Sequence, residues 1–266
     1  MTVKATKSNM SVLKTIKLIE LLAQSPEPMR LSDLAAMADM PVSTTLRMVN
    51  TLVECGYAYQ EESSQQRYGL TMRFLQIGQM IADHFSIRDL AHPYLIALSR
   101  DVGESCCLSV AEEQFVRYVD VVENTRGNIM IRQRVGGTAS MHCTGSGKAL
   151  MSQYSKEELE EYAKTQGLPA LTGRTITTMD ELVFALREGC KRGYFMDDEE
   201  CEIGMRCIAA PIFNVDHRVI AAVSLSGPIS RMTKMRCELE IVPKLCSCAK
   251  KITEKVCGTK DKKEDN

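Results

Sequence analysis

The sequence has no tryptophan, and aromatic residues of every kind fill only 5% of its 266 positions. A core must therefore be built from Leu, Ile, Val, Ala and the 16 methionines, whose flexible thioethers fill irregular gaps. Net charge is also nearly absent: 33 Lys and Arg oppose 34 Asp and Glu, leaving a formal charge of −1. That balance excludes a bulk polyanion binder, so any nucleic-acid surface has to be local. Long apolar runs are missing. Stretches such as Cys207 to Phe213 fall far short of the roughly 18 residues a membrane span needs, so no membrane partner is expected. The first twenty residues hold Lys4, Lys7, Lys14 and Lys17 but no apolar core ending in small residues. They do not read as a secretory signal, and a cytoplasmic location is expected. Cysteine is abundant at eleven, yet the count is odd and no Cys-x-x-Cys occurs. In a reducing cytosol such thiols stay free, which argues against a disulfide scaffold.

What is present is the composition of a globular protein, 44% hydrophobic and 25% charged, long enough for two modest domains. Val12, Ile16, Ile19 and Leu22 or Ala23 recur at helical spacing over residues 10–24. Ser32 is placed to cap a short helix ending at Ala38, and Asp39-Met40-Pro41 forms a turn. Ser43 then caps a third helix reaching Cys55. Residues 57–60 and 67–70 read as a two-stranded hairpin around a polar turn. This order is that of a winged helix-turn-helix over residues 8–72. A linker helix over 73–86 carries a wide apolar band, Phe74, Leu75, Ile77, Ile81 and Phe85, which points to self-association.

From residue 87 to 257 the pattern changes to mixed strands and helices. A helix over 87–101 precedes strands at 105–110, 115–122 and 128–134. Ser155 with Glu158 and Thr178 with Glu181 are capping-box pairs opening two helices. Residues 206–213 and 219–226 read as a strand pair, a last helix runs from about 234 to 256, and the charged stretch 258–266 is expected to be disordered.

In the third helix, Val42, Leu46, Val49 and Leu52 or Val53 are expected to face inward, leaving Ser43, Thr44, Arg47, Asn50 and Thr51 on a polar face. Short hydroxyls at a helix start hold phosphates, and Arg and Asn carry the donor patterns that distinguish guanine and adenine edges. A merely solvated face satisfies the same periodicity. Residues 1–75 hold eight basic against seven acidic side chains, but the four N-terminal lysines precede every acid and form a basic arm.

Several runs together carry a resemblance: Leu31-Ser32-Asp33-Leu34-Ala35, the helix from Ser43 to Leu52, Tyr68-Gly69-Leu70, His142 to Leu150, Arg192-Gly193-Tyr194, Gly204 to Pro211 and Ser224 to Pro228. In this order and at these separations the chain resembles the IclR family of bacterial transcription regulators. The resemblance implies an α+β protein: an N-terminal winged helix-turn-helix, a linker helix, and a C-terminal GAF-like or profilin-like antiparallel sheet flanked by helices. It further implies double-stranded operator DNA as a partner, read by Ser43, Thr44, Thr45, Arg47 and Asn50 with Arg67 of the wing on phosphate. Assembly as a dimer or dimer of dimers follows from the same likeness. A small organic acid effector would be held by the amide loop Gly145-Ser146-Gly147 with Asp197, Cys207, Ser224 and Ser226; no cofactor or catalytic residue is implied. Asp39 and His217 stand where the family has turn glycines, and both residue types tolerate left-handed backbone. Gly145 replaces a common small residue.

On the residues alone, Ser224 and Ser226 share one strand face, the loop before Lys148 makes an anion cradle, and the acid run 197–200 is a solvated turn with one member turned inward. Two alternatives accompany this: an enzyme with Cys207 as nucleophile and His142 as base, or a metal-dependent sensor using His142, Cys143, Cys201 and Cys207.

Overall fold

The computed structural model describes residues 9–61, 67–84 (main chain only over 81–84), 86–124 and 133–258. The chain divides into two units, Met1–Phe85 and Ser86–Asn266.

In the first unit, α1 (Met10–Gln24) starts where the Asn9 carboxamide oxygen accepts from the amides of Ser11 and Val12. α2 (Leu31–Ala38) and α3 (Val42–Glu54) follow, then β2 (Ala58–Gln60), β3 (Arg67–Leu70) and α4 (Arg73–His84). A two-residue strand β1 (Met29–Arg30) pairs with β3, so the wing is a three-stranded sheet in the order β1-β3-β2, not a two-stranded hairpin. The wing turn, 62–66, lies outside the described residues. Because β1 runs directly into α2, Arg30 occupies the cap position and Ser32 lies inside the helix. Pro41 likewise precedes α3 in place of Ser43; proline's fixed φ suits a helix start.

The core of this unit contains Leu18, Leu22, Leu34, Met48, Val49 and Tyr68. At the starts of two helices the buried stripe departs from the sequence-based expectation. Val12 and Ile16 are exposed on α1, and Val42 is exposed on α3, where Thr45, Met48, Val49 and Leu52 face inward. Periodicity fixes a spacing, but a helix with apolar residues on two sides leaves open which stripe is buried.

The second unit is a six-stranded antiparallel sheet between two helical layers, which makes the protein α+β. α5 (Ile87–Val102) leads to β4 (Ser105–Glu112), β5 (Phe115–Val122) and β6 (Thr138–Ser140). The strand expected over 128–134 falls mostly outside the described residues; Gln133 and Arg134 are irregular. Next come α6 (Gly145–Leu150), a 3₁₀ turn (Met151–Gln153), α7 (Lys156–Thr165) and α8 (Met179–Arg192). β7 (Phe195–Asp198), β8 (Met205–Phe213) and β9 (Val219–Pro228) complete the sheet in the order β6-β5-β4-β9-β8-β7. The expected final helix is α9 (Lys234–Arg236), a π turn (Cys237–Ile241) and α10 (Val242–Val256), with Pro243 at the start of α10.

Alternation along the strands separates two cores. Leu108, Ile208, Val223 and Leu225 meet Leu95 of α5 and Leu245 and Ile252 of α10 on one face. On the other, Cys107, Ala209 and Ala222 meet Leu150, Leu159 and Leu182 from α6, α7 and α8. Asp39 and His217 have φ of +55° and +56°, as the glycine positions they fill require. After α2, the Met40 amide reaches the Ala35 carbonyl and the Asp39 amide that of Ala36, a Schellman closure that Asp39 permits.

Candidate functional site

Ser43, Arg47 and Asn50 are exposed along α3, and Thr44 is half-buried beside them. Thr45 is not on that face: it is fully buried, and its hydroxyl donates to the Pro41 carbonyl at 3.2 Å. It holds the first turn of α3, so its expected contact with DNA is corrected to a packing role. Arg67 lies in β3 with a guanidinium nitrogen 3.9 Å from the exposed Glu27 carboxylate, a weak surface pairing. Lys17 does not extend a basic arm. Its ammonium donates to the Ala38 carbonyl at 2.8 Å, closing the C-terminal end of α2. Lys4 and Lys7 lie outside the described residues. α4 is fastened to the wing, with the Phe74 ring 5.0 Å from that of Tyr57 and Arg73 donating to the Cys55 carbonyl at 3.0 Å. Beyond Phe74, its Leu75 and Met80 are 61% and 66% exposed.

In the second unit, strand register assembles the other candidate residues. Asp197 of β7 stands opposite Cys207 of β8, Cys207 opposite Ser226 of β9, and Ser226 opposite Ser105 of β4. The next row on the same face runs Phe195, Ala209, Ser224, Cys107. All four side chains expected to hold an effector, Asp197, Cys207, Ser224 and Ser226, are thus brought to one face, the one α6 covers, and all are buried.

α6 starts earlier than expected: Gly145, Ser146 and Gly147 form its first turn, and the Thr144 hydroxyl accepts from the Gly147 amide at 3.1 Å. The two glycines have steric reasons to be there. A Cβ at Gly147 would sit 2.2 Å from the Met141 Cα and carbonyl oxygen, and one at Gly145 would meet Cys207 and Phe195 at 3.3 Å. Close seating of α6 on the sheet, which loop composition does not reveal, places its first-turn amides against the polar row.

Three oxygens in these two rows, Asp197 Oδ2, Ser224 Oγ and Ser226 Oγ, are buried without a hydrogen-bond partner. Such groups cost free energy unless something completes them. Asp197 Oδ1 accepts from the amides of Glu200 at 2.7 Å and Cys201 at 3.2 Å. Burial outweighs these bonds and the Lys148 charge, lifting the Asp197 carboxyl to about 7. Two acids of the run turn inward, not one: Glu200 is buried 2.5 Å from the Lys148 ammonium. Burial raises its carboxyl as well, against the pull of Lys148. No spacing signal in the sequence pairs Lys148 with Glu200, 52 residues away. Asp198 and Glu199 face outward to Arg174, and Asp198 also to Arg206 and Lys234.

The residues of the enzyme reading are held differently. Burial pushes the Cys207 thiol up to about 12, with the Ser226 and Ser224 hydroxyls opposing weakly from outside good hydrogen-bond geometry. Both His142 ring nitrogens are engaged elsewhere, with the Tyr162 hydroxyl at 3.3 Å and the Pro169 carbonyl at 3.1 Å. Among the described residues no three His, Cys, Asp or Glu side chains converge to hold a metal ion, and no helix is long and apolar enough to cross a membrane.

Residues 79–254 match the family model of the bacterial transcriptional regulator IclR C-terminal domain, and residues 11–62 match that of the IclR helix-turn-helix domain. The chain is 31% identical over 237 residues to the transcriptional repressor IclR of Escherichia coli, covering 88% of this chain and 86% of that protein. It is 31% identical over 252 residues to the acetate operon repressor of Salmonella typhimurium, covering 94% and 91%. The crystal structure of Thermotoga maritima IclR superposes with a TM-score of 0.61 at 30% identity, over 93% of this chain and 99% of that one. The Agobacterium tumefaciens repressor BlcR shares the fold at a TM-score of 0.72 and 21% identity, over 94% and 98%.

Proposed function

The chain belongs to the IclR family of bacterial DNA-binding transcription regulators, and from that premise we propose that a small organic acid bound beneath α6 controls its grip on an operator. The observation that carries this reading is the trio of buried, partnerless oxygens on Asp197, Ser224 and Ser226. A ligand carboxylate would complete them: the two serine hydroxyls donate to it, and Asp197 in its protonated form donates from Oδ2. The first-turn amides of Gly145 and Ser146 add donors from α6, and Cys207 supplies a soft wall between Asp197 and Ser226. On the DNA side, Ser43, Thr44, Arg47 and Asn50 face the major groove, Arg67 meets phosphate, and two copies joined through the first unit read the two halves of a palindrome.

A thermal-shift screen of small carboxylates, followed by calorimetry on each hit, tests the pocket. Ser224→Ala combined with Ser226→Ala keeps the side-chain volume nearly constant and removes two donors, each worth roughly 1–3 kcal/mol when left unmatched in a dry site. The double variant is expected to bind the acid at least tenfold more weakly while retaining effector-free operator binding. Acid binding equal to the parent's would make both serines structural and move the pocket elsewhere.

A further inference from the structure

Among the described residues five buried side-chain oxygens lack a hydrogen-bond partner, and the acid pocket uses three of them. A fourth, Glu200 Oε2, belongs to the carboxylate already paired with Lys148. The fifth is the hydroxyl of Ser109 in β4, which is fully buried. Register puts it under the same helical layer: Ser109 stands opposite Ala222 of β9 and Tyr118 of β5, both part of the core on the α6 side of the sheet. Its row is the next one along from that of Ser224 and Cys107. The partnerless oxygens of Asp197, Ser226, Ser224 and Ser109 therefore form one diagonal seam from β7 to β4. A diagonal pair such as Ser224 and Ser109 is separated by roughly 7–8 Å. We propose that Ser109, with Gln133, forms the far end of the acid pocket and selects an acid carrying an uncharged oxygen, a ketone or a hydroxyl, about three or four carbons beyond its carboxyl group.

The groups around Ser109 are polar but neutral. The Cys107 thiol donates to Gln133 Oε1 at 2.5 Å, and Gln133 Nε2 donates to the Tyr118 hydroxyl at 3.2 Å. The half-buried Gln133 carboxamide thus bridges the residue two before Ser109 and the residue opposite it. That bridge uses one of the two Nε2 protons. Burial holds the Cys107 thiol and the Tyr118 phenol well above their ordinary values, so both stay protonated and none of the four side chains carries a charge. The inference rests on the acid pocket proposed for Asp197, Ser224 and Ser226, and it supplies the group that a lone carboxylate leaves out. A plain alkyl acid seated there leaves the Ser109 hydroxyl buried and unmatched, which costs free energy. A ketone oxygen at that point accepts from the Ser109 hydroxyl and from the second Gln133 Nε2 proton. A second carboxylate loses its hydration without meeting a cation, so a diacid is disfavoured.

The test is calorimetry on the full-length chain with three probes of equal chain length: pentanoate, 4-oxopentanoate and pentanedioate. The parent is expected to bind 4-oxopentanoate at least tenfold more tightly than either of the others. Ser109→Ala removes one oxygen that has no partner to lose, so its melting temperature and its affinity for pentanoate are expected to match the parent's while the preference disappears. Gln133→Met keeps the side-chain length, removes both amide protons and is expected to narrow the preference several-fold. Equal binding of pentanoate and 4-oxopentanoate by the parent, or a preference that survives in Ser109→Ala, overturns the proposal. If the two acids bind equally and Ser224→Ala with Ser226→Ala weakens both, the near end of the pocket stands and only the far end is refuted; if neither acid binds, both readings fall.

Discussion

Arg47 sits exposed on α3 with Asn50 near it along the same helix. A guanidinium so placed offers two parallel donors to a base edge, whereas Thr45, buried under the same turn, offers none. Arg47→Ala is expected to weaken specific operator binding by roughly 1–3 kcal/mol and relax base preference, with the melting profile unchanged. A mobility-shift titration against matched and mismatched operators measures both. Asp197 yields a different kind of expectation. Its carboxyl lies at about 7 in the folded chain against 3.8 as its ordinary value. The folded state therefore keeps a proton that the unfolded state releases as pH rises from about 4 to 7, so stability falls through that window. For a group 1% exposed, the shift corresponds to about 4 kcal/mol at most. Asp197→Asn keeps the acceptor for the Glu200 and Cys201 amides and has no proton to lose. Urea unfolding from pH 4 to 8 should show a shallower decline in this variant than in the parent; equal slopes would refute the assignment.

At the scale of elements, α6 is the piece whose seating decides the pocket. Gly147→Ala forces a methyl group into Met141 backbone that has no rotamer to yield, and a loss of roughly 3 kcal/mol is expected. Gly173, with open space around its Cα, is the control: alanine there should change the denaturation midpoint little. How much of such architecture is legible beforehand depends on whether its cause is local. The capping box of Ser155 and Glu158 is local, and both of its bonds form. Thr178 caps through the Glu181 amide in the same way, although the reciprocal bond is absent. β5 spans the expected residues, Phe115–Val122. β7 has Phe195-Met196-Asp197-Asp198 and no β-branched residue, so only its pairing with β8 makes it a strand. β1 is too short for any periodicity and exists because β3 offers an edge. The polar row was legible residue by residue, since Ser224 and Ser226 must share a face. The buried Lys148–Glu200 ion pair beside it was not, because it joins segments more than fifty residues apart.

At the scale of the whole molecule, the first unit exposes several large apolar side chains. Besides Leu75 and Met80 on α4, Val12, Leu13 and Ile16 are exposed on α1, although Val12 and Ile16 were expected in a buried stripe. Phe74, by contrast, is spent on Tyr57, and the side chain of Ile81 and all of Phe85 lie outside the described residues. Exposed apolar side chains on such helices are the kind of surface a partner covers, and a second copy of the chain meets the need. Light scattering at micromolar concentration should give at least twice 29.7 kDa. Leu75→Lys with Ile16→Lys should shift the population toward that single mass; a parent already at it would exclude self-association at this concentration. The two-faced central strand β9 carries a different consequence. Its Ala221, Val223 and Leu225 serve the layer of α5 and α10, while Ala222, Ser224 and Ser226 serve the layer of α6. On the proposed reading, stability and chemical preference are thereby written in alternate letters of one strand. Over generations, a lineage can respell the even positions for a new metabolite while the odd ones keep the old scaffold standing.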